Sequence, residues 1–69
     1  MIVYKPLWQT MERKGISTYT LIYKHGISSS TINRLRHNKG MSMQTIDDLC
    51  SILECRVEDI AEHIPNQVV

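Results

Sequence analysis

Three glycines and a proline divide the sequence into four segments, of which the first three each have the length of one short helix and the last has room for two. Gly15, Gly26 and Gly40 follow the first three segments, and Pro65 follows the last one. Glycine is favoured just after a helix because it readily adopts the left-handed backbone conformation that ends many helices. The spacing predicts an all-α fold, a compact bundle of five short helices.

Each predicted helix has its own start signal or apolar face. The five helices run from Pro6 to about Lys14, from a cap at Ser17 or Thr18 to just before Gly26, from a cap at Ser28 to about His37, from a cap at Ser42 to Leu53, and from Val57 to Ile64. The fourth has the clearest pattern, because its apolar residues recur at steps of three and four positions and so share a core-facing side. These residues are Met43, Ile46, Leu49, Cys50 and Leu53. Strand-forming residues are confined to positions 2–4, so we expect at most a terminal arm and no sheet.

The length and composition predict one globular domain. A chain of 69 residues encloses a single core at most, and 42% hydrophobic with 22% charged residues is a globular mixture. We therefore expect one domain over residues 1–69, with its core at about residues 4–64. Because so small a core gives marginal stability, a homodimer is a further expectation.

The cysteines and histidines give no sign of a metal site, and we expect no cofactor. Cys50 and Cys55 are five positions apart, which fits neither a redox motif nor a disulfide framework, so we interpret both as reduced packing thiols. The three histidines have no ligand-like spacing with them. The chain also lacks a signal-peptide core and any apolar run long enough to cross a bilayer, so we expect a cytoplasmic protein without membrane contact.

Charge is distributed unevenly along the chain, although the net charge is only +1. Up to Gly40 there are seven basic residues and one acidic residue, a net charge of +6. From Met41 onward one basic residue faces six acidic ones, a net charge of −5. This polarity favours a basic face for an anionic partner, although two ordinary solvated surfaces would give the same count.

The segment from Thr18 to Leu35 carries the functional signal. Its two short predicted helices are separated by a turn at Gly26, which is typical of a helix-turn-helix. Four apolar residues would hold the second helix across the first: Leu21, Ile27, Ile32 and Leu35. The other side of that helix then presents Ser29, Ser30, Asn33, Arg34 and His37, a short, polar and basic face suited to a DNA major groove.

This pattern resembles the Xre family of phage-repressor-like helix-turn-helix regulators over about residues 4–64. The matching features are Leu21, Gly26, Ile27, Ser28, Ile32 and Leu35, the turn Asn38-Lys39-Gly40, the helix from Met43 to Leu53, and the closing segment from Leu53 to Ile60. The resemblance implies a lambda-repressor-like five-helix fold that binds double-stranded DNA and regulates transcription, with its third helix in the major groove. A homodimer on a two-fold-related site would agree with it.

The resemblance also implies roles for individual residues. The residues at base-reading positions are Ser29, Ser30, Asn33 and Arg34, and those at phosphate-binding positions are Thr18, Thr31, Asn38 and Lys39. An arginine can pair bidentately with guanine and an asparagine with adenine, whereas serine hydroxyls discriminate weakly. His37 is a further candidate for DNA contact. Outside this motif, three consecutive serines usually only begin a helix, and an exposed arginine is usually solvated.

Two other function classes have to be weighed against DNA binding. One is a protein-protein interaction module with the same fold, such as an antitoxin-like partner or a dimerising regulator fragment without specific DNA binding. The other is an enzyme, which we do not expect because no base or orienting group accompanies the serines and there is no glycine-rich phosphate motif.

The chain has no room for a separate ligand-sensing domain, so we expect no small-molecule ligand.

Overall fold

The computed structural model describes residues 1–65, which form four α-helices, a short 3₁₀ helix and a two-stranded sheet. In chain order the elements are β1 (Ile2–Val3), α1 (Lys5–Lys14), α2 (Thr18–Tyr23), α3 (Ser29–Arg36), α4 (Met43–Leu53), the 3₁₀ helix (Val57–Asp59) and β2 (Glu62–His63). Residues 66–69, which the domain prediction includes, lie outside the described residues. The helical class agrees with the prediction. Within residues 1–65, no helix has the length and apolar character needed to cross a membrane.

Three of the four α-helices begin with the same local motif, a serine followed three positions later by a threonine. The serine Oγ accepts a hydrogen bond from the threonine N–H at 3.1–3.2 Å, and the two hydroxyl groups also bond to each other. The pairs are Ser17 with Thr20, Ser28 with Thr31, and Ser42 with Thr45. The side chain of each serine thus satisfies an amide that lacks a partner within its helix. The predicted caps at Ser28 and Ser42 are confirmed, and α2 uses the first of its two candidates.

Three helices end in Schellman turns, but only one of these three turns has glycine as its left-handed residue. The left-handed residue is Gly15 after α1 (φ 67°), Asn38 after α3 (φ 55°) and Glu54 after α4 (φ 50°). In each case the next N–H donates to a carbonyl five residues earlier, which closes a Schellman turn. The predicted end of α3 at about His37 is confirmed, but the left-handed residue beyond it is Asn38 and not Gly40.

The core lies where the four helices and the 3₁₀ helix meet. Its buried members are Tyr4, Leu7, Met11, Leu21, Ile32, Leu35, Ile46, Leu49, Leu53 and Ile60. This confirms the predicted inner face of α4, except at Met43, whose side chain is 71% exposed. Met43 is the first residue of α4, and its side chain borders an apolar groove instead of entering the core.

The predicted fifth helix is wrong. Only Val57–Asp59 is helical, as a single 3₁₀ turn, because α1 captures the carbonyl groups that a longer helix would need. The Asp59 carbonyl accepts from the Thr10 hydroxyl at 2.8 Å, and the Ile60 carbonyl accepts from the Leu7 N–H at 3.2 Å. These contacts dock the segment on α1 and bury Ile60 completely.

The residues after the 3₁₀ helix form a strand, so the prediction of a terminal arm without a sheet is also wrong. β1 and β2 pair antiparallel, with Ile2 opposite His63 and Val3 opposite Glu62. The Ile64 N–H donates to the Met1 carbonyl at 2.7 Å and extends the pairing. The sequence around Glu62 has no strand pattern of its own, since β2 is exposed on both faces and exists through its pairing with β1.

Candidate nucleic-acid interface

Buried apolar residues hold α3 across α2, as the sequence predicts. Leu21, Ile32 and Leu35 are at most 4% exposed, and Ile27 packs partly buried against them. The turn between the helices places Gly26 at φ 73°, and Ile27 donates its N–H to the Leu21 carbonyl at 3.0 Å. This packing fixes which face of α3 points away from the protein.

The outward face of α3 carries all four predicted base-reading residues. Ser29, Ser30, Asn33 and Arg34 are exposed. They form two rows at a spacing of four residues, one from Ser29 to Asn33 and one from Ser30 to Arg34. The helix contains no acidic residue, so nothing on it repels a phosphate backbone.

Arg34 makes a contact that the sequence does not reveal. Its Nη2 donates a hydrogen bond to the Gly40 carbonyl at 2.8 Å, which bends the side chain towards the start of α4. Beside it lies a polar hollow of about 260 Å³ between α3 and the first turn of α4. The lining residues are Ser30, Thr31, Arg34, Gly40, Met41, Ser42 and Thr45. One row of the α3 face therefore continues onto α4.

The predicted phosphate-binding residues divide into two groups. Thr18 is the first residue of α2 and Lys39 is an exposed cation after α3, so both keep side-chain groups for a ligand. Thr31 already bonds to Ser28 through its N–H and its hydroxyl. Asn38 accepts a hydrogen bond from the Tyr4 N–H at 3.0 Å through Oδ1, which leaves Nδ2 as its donor.

His37 lies at the C-terminal end of the same face. It is exposed, and its Nδ1 is 2.8 Å from the Asn33 carbonyl oxygen. This contact turns the imidazole back along α3, so Asn33 and His37 lie one helical turn apart on one row.

The sequence of the whole domain matches that of a known family. The sequence profile of the Cro/C1-type HTH DNA-binding domain matches residues 6–66. The chain belongs to the Cro/C1-type helix-turn-helix family. This confirms the resemblance inferred from the α2–α3 segment and the turn that follows it. No curated protein matches the chain significantly.

A solved structure shows the same fold as this Cro/C1-type domain. The crystal structure of the transcriptional regulator VanUg, form II, superposes with a TM-score of 0.85 at 28% sequence identity. The alignment covers 94% of this chain and 87% of that one. The likeness therefore extends over nearly the whole chain.

Within the described residues, the basic residues up to Gly40 of this Cro/C1-type domain form no ion pairs. Within residues 1–65, the one ion pair joins Arg56 and Glu58 at 3.2 Å, on the exposed 3₁₀ segment. The seven basic residues up to Gly40 thus keep their full charge for an anionic partner. In the same part of the chain, no three His, Cys, Asp or Glu side chains are grouped to hold a metal ion.

Three residues at this interface escaped the sequence prediction. Ser42 and Thr45 border the hollow, and their Ser-x-x-Thr cap was the available signal. Tyr4 is buried, and it donates its hydroxyl to the Lys39 carbonyl at 2.8 Å. Nothing local could reveal this contact, because 35 positions separate the two residues.

Proposed function

We propose that this protein is a transcriptional regulator that recognises specific double-stranded DNA sequences by placing α3 in the major groove. The observation that carries the proposal is the exposed polar and basic face of α3, held rigidly on buried Ile32 and Leu35, in a Cro/C1-type domain. A helix so presented fits the major groove, where each base pair has a distinct donor and acceptor pattern. The structural likeness to a transcriptional regulator supports the regulatory role.

Four residues would read the bases. Arg34 is the strongest reader, because a guanidinium can donate two parallel hydrogen bonds to guanine, which contributes about 1–3 kcal/mol of discrimination. To reach a base, Arg34 would exchange its hydrogen bond to Gly40 for those to guanine. Asn33 would read adenine, while Ser29 and Ser30 approach the groove edge and discriminate weakly. His37 continues the row of Asn33 and would add a contact at the helix end.

The residues around this face would grip the phosphates and fix the position of α3. Thr18 would bind at the start of α2, and Lys39 would bind as a cation beyond the end of α3. Asn38 would donate through Nδ2, since Oδ1 holds Tyr4, and Thr31 would contribute its hydroxyl group. Such contacts displace counterions, so they make affinity depend on salt.

We further propose that the protein binds DNA as a homodimer, paired through an apolar groove beside α3. The groove has a volume of about 270 Å³, and its lining residues are Ile2, Tyr4, Gly40, Met41, Met43, Ile46, Val57 and Ala61. Met43 and Val57 are 71% and 53% exposed, which is costly in water and favours burial by a partner. Gly40 and Met41 also line the polar hollow, so the groove adjoins the DNA-reading face. A two-fold pair through it would present both α3 helices to one side of the DNA.

We propose no catalytic step, cofactor or small-molecule ligand for this chain. Its fold and its family are those of DNA-binding regulators. We propose that it acts in the cytoplasm, as a prokaryotic or phage regulator.

Selection from a pool of random duplex DNA tests the base-reading proposal. We expect the wild-type protein to enrich one motif, and Arg34→Ala to lose the preference at a guanine within it. Arg56→Ala is the matched control, because it removes another exposed guanidinium, from the acidic 3₁₀ segment. A folded wild-type protein that enriches no motif would contradict the proposal and favour the protein-protein interaction module.

Sedimentation tests the dimer separately. We expect the wild-type protein to sediment as a dimer on its DNA site and Met43→Lys to bind as a monomer with reduced affinity. Gln44→Lys adds the same charge at the neighbouring exposed position, outside the groove, and should remain dimeric. A wild-type monomer both free and on DNA would refute the dimer and leave the base-reading proposal intact.

A further inference from the structure

The end of α4 brings two thiols together. Cys50 lies in the last turn of α4 and Cys55 follows the left-handed residue Glu54. The Cys55 N–H donates to the Cys50 carbonyl at 3.1 Å, and the two thiols lie close enough for each to influence the pKa of the other. Both cysteines are partly exposed, so small solutes can reach them.

The corresponding turn at the end of α1 has apolar residues at the two equivalent positions. There the Ile16 N–H donates to the Met11 carbonyl at 2.9 Å, and both side chains pack with the core. An apolar contact between these two positions commonly accompanies a Schellman turn. At α4 the chain places a pair of thiols in that contact, which adds redox chemistry to a packing role.

We propose that Cys50 and Cys55 form a reversible intramolecular disulfide by exchange with a low-molecular-weight disulfide such as oxidised glutathione. A disulfide requires Cα atoms about 4.4–6.8 Å apart. The backbone hydrogen bond between the two residues keeps them close together, and both side chains pack against the same core. The bond closes by side-chain rotation within the existing turn.

The exchange takes place in two balanced steps. The Cys50 thiolate attacks a sulfur of glutathione disulfide, which forms a mixed disulfide and releases one glutathione thiolate. The Cys55 thiolate then attacks the Cys50 sulfur and expels the second glutathione thiolate. The two protein protons end on the two glutathione thiols, and the protein loses two electrons.

The surroundings of the pair set the order and the pH dependence of these steps. The interaction between the two thiols lowers the pKa of Cys50 and raises the pKa of Cys55, which makes Cys50 the better first nucleophile. Burial raises the pKa of both thiols, and nearby carboxylates raise it further, so the exchange accelerates as the pH rises. The charged groups that act on the pair are Asp47 on α4, Glu58 and Asp59 on the 3₁₀ helix, and Lys14 on α1.

The disulfide would stabilise the fold without touching the DNA-reading face. It closes a short loop at the junction of α4 and the 3₁₀ segment, which restricts the unfolded chain. The same segment docks on α1 through Asp59 and Thr10, whereas α3 contributes to neither contact. An oxidising cell would therefore hold a more persistent form of the protein.

Equilibration of the full chain in buffers of graded reduced and oxidised glutathione tests this inference. After acid quenching and alkylation, mass spectrometry should show a monomer lighter by two hydrogen atoms, with a peptide link between positions 50 and 55. The melting temperature of this form should rise by about 5 °C or more over that of the reduced form.

Cys50→Ser and Cys55→Ser are the matched controls. Each should accumulate only a glutathione adduct on the remaining cysteine, and its melting temperature should show no comparable rise. Wild-type protein that forms only glutathione adducts or disulfide-linked dimers would overturn the inference. An internal disulfide that lowers the melting temperature would also overturn it, because it would show that the turn cannot hold the bond without strain.

Discussion

Tyr4 donates its hydroxyl hydrogen to the carbonyl oxygen of Lys39 at 2.8 Å, and thereby ties the start of the chain to the turn after the recognition helix. Its backbone N–H donates to Asn38 Oδ1 in the same turn. Tyr4 is 3% exposed and the hydrogen bond is partly buried, so removal of the hydroxyl would take away a partner that the Lys39 carbonyl has in the folded protein. We expect Tyr4→Phe to lower the free energy of unfolding by about 1–2 kcal/mol.

Chemical denaturation of Tyr4→Phe and Tyr19→Phe measures this difference. Tyr19 is 68% exposed and stacks on Tyr23, so loss of its hydroxyl should change stability little. Equal stability losses in the two variants would show that the bond to Lys39 contributes nothing specific.

The cap of the recognition helix gives a second prediction. The Ser28 Oγ accepts the Thr31 N–H at 3.1 Å, and no other side chain caps the start of α3. Ser28→Ala should lower the free energy of unfolding by about 1 kcal/mol, the usual cost of losing a serine cap. Ser51→Ala, an exposed change in the last turn of α4, should be neutral or slightly stabilising, because alanine has the highest helix propensity. Thermal melts of both variants measure the contrast.

For two of the left-handed residues that follow helices, Glu54 and Gly15, we expect opposite effects of substitution. Glu54 has φ 50°, which costs an ordinary residue about 1 kcal/mol, and its exposed side chain makes no described hydrogen bond. We therefore expect Glu54→Gly to raise the free energy of unfolding by about 0.5–1 kcal/mol. Gly15→Ala should lower it by about 1 kcal/mol, because Gly15 has φ 67°. Chemical denaturation should give these opposite signs, and a destabilised Glu54→Gly would contradict the argument.

The four α-helices could be predicted from the sequence because their signals are local. Caps such as Ser28 and Ser42 and apolar residues at helical spacing lie within one or two turns of the structure they determine. The exposed face of α3 follows from the same periodicity, since burial of Ile32 and Leu35 fixes which residues point outward.

The remaining features depend on residues far apart in the chain. The last apolar segment has helical spacing, yet bonds from Thr10 and Leu7 to its carbonyl groups stop it after one 3₁₀ turn. The contact between Tyr4 and Lys39 also joins distant positions. The bond from Arg34 to Gly40 spans only six residues, but it depends on the path of the turn between them, which periodicity does not determine.

Because of these two thiols, we expect the reduced folded protein to lose stability at alkaline pH. Burial, first of all, raises the pKa of Cys50 and Cys55 in the folded protein above their ordinary values. Above about pH 8.5 the thiols of the unfolded chain ionise first, so unfolding releases protons and is favoured as the pH rises. The stabilisation is complete below that pH and is lost as the pH approaches the raised values. Melting curves of reduced wild-type protein and of Cys50→Ser/Cys55→Ser between pH 7 and pH 10 should show a steeper decline for the wild type. Parallel declines would contradict the role of the thiols.

We expect substitution of Lys39 to change the salt dependence of DNA binding. It is exposed, it makes no ion pair within the described residues, and its backbone is fixed by Tyr4. If it contacts a phosphate, Lys39→Ala should weaken binding about equally on preferred and random duplexes. The plot of log affinity against log salt, which falls with a negative slope, should become less steep by about 1. Arg34→Ala should instead weaken the preferred duplex more than the random one. Fluorescence anisotropy titrations at several salt concentrations separate these effects, with Arg56→Ala as the charge-matched control. A Lys39→Ala variant with the wild-type slope would remove this residue from the phosphate contacts.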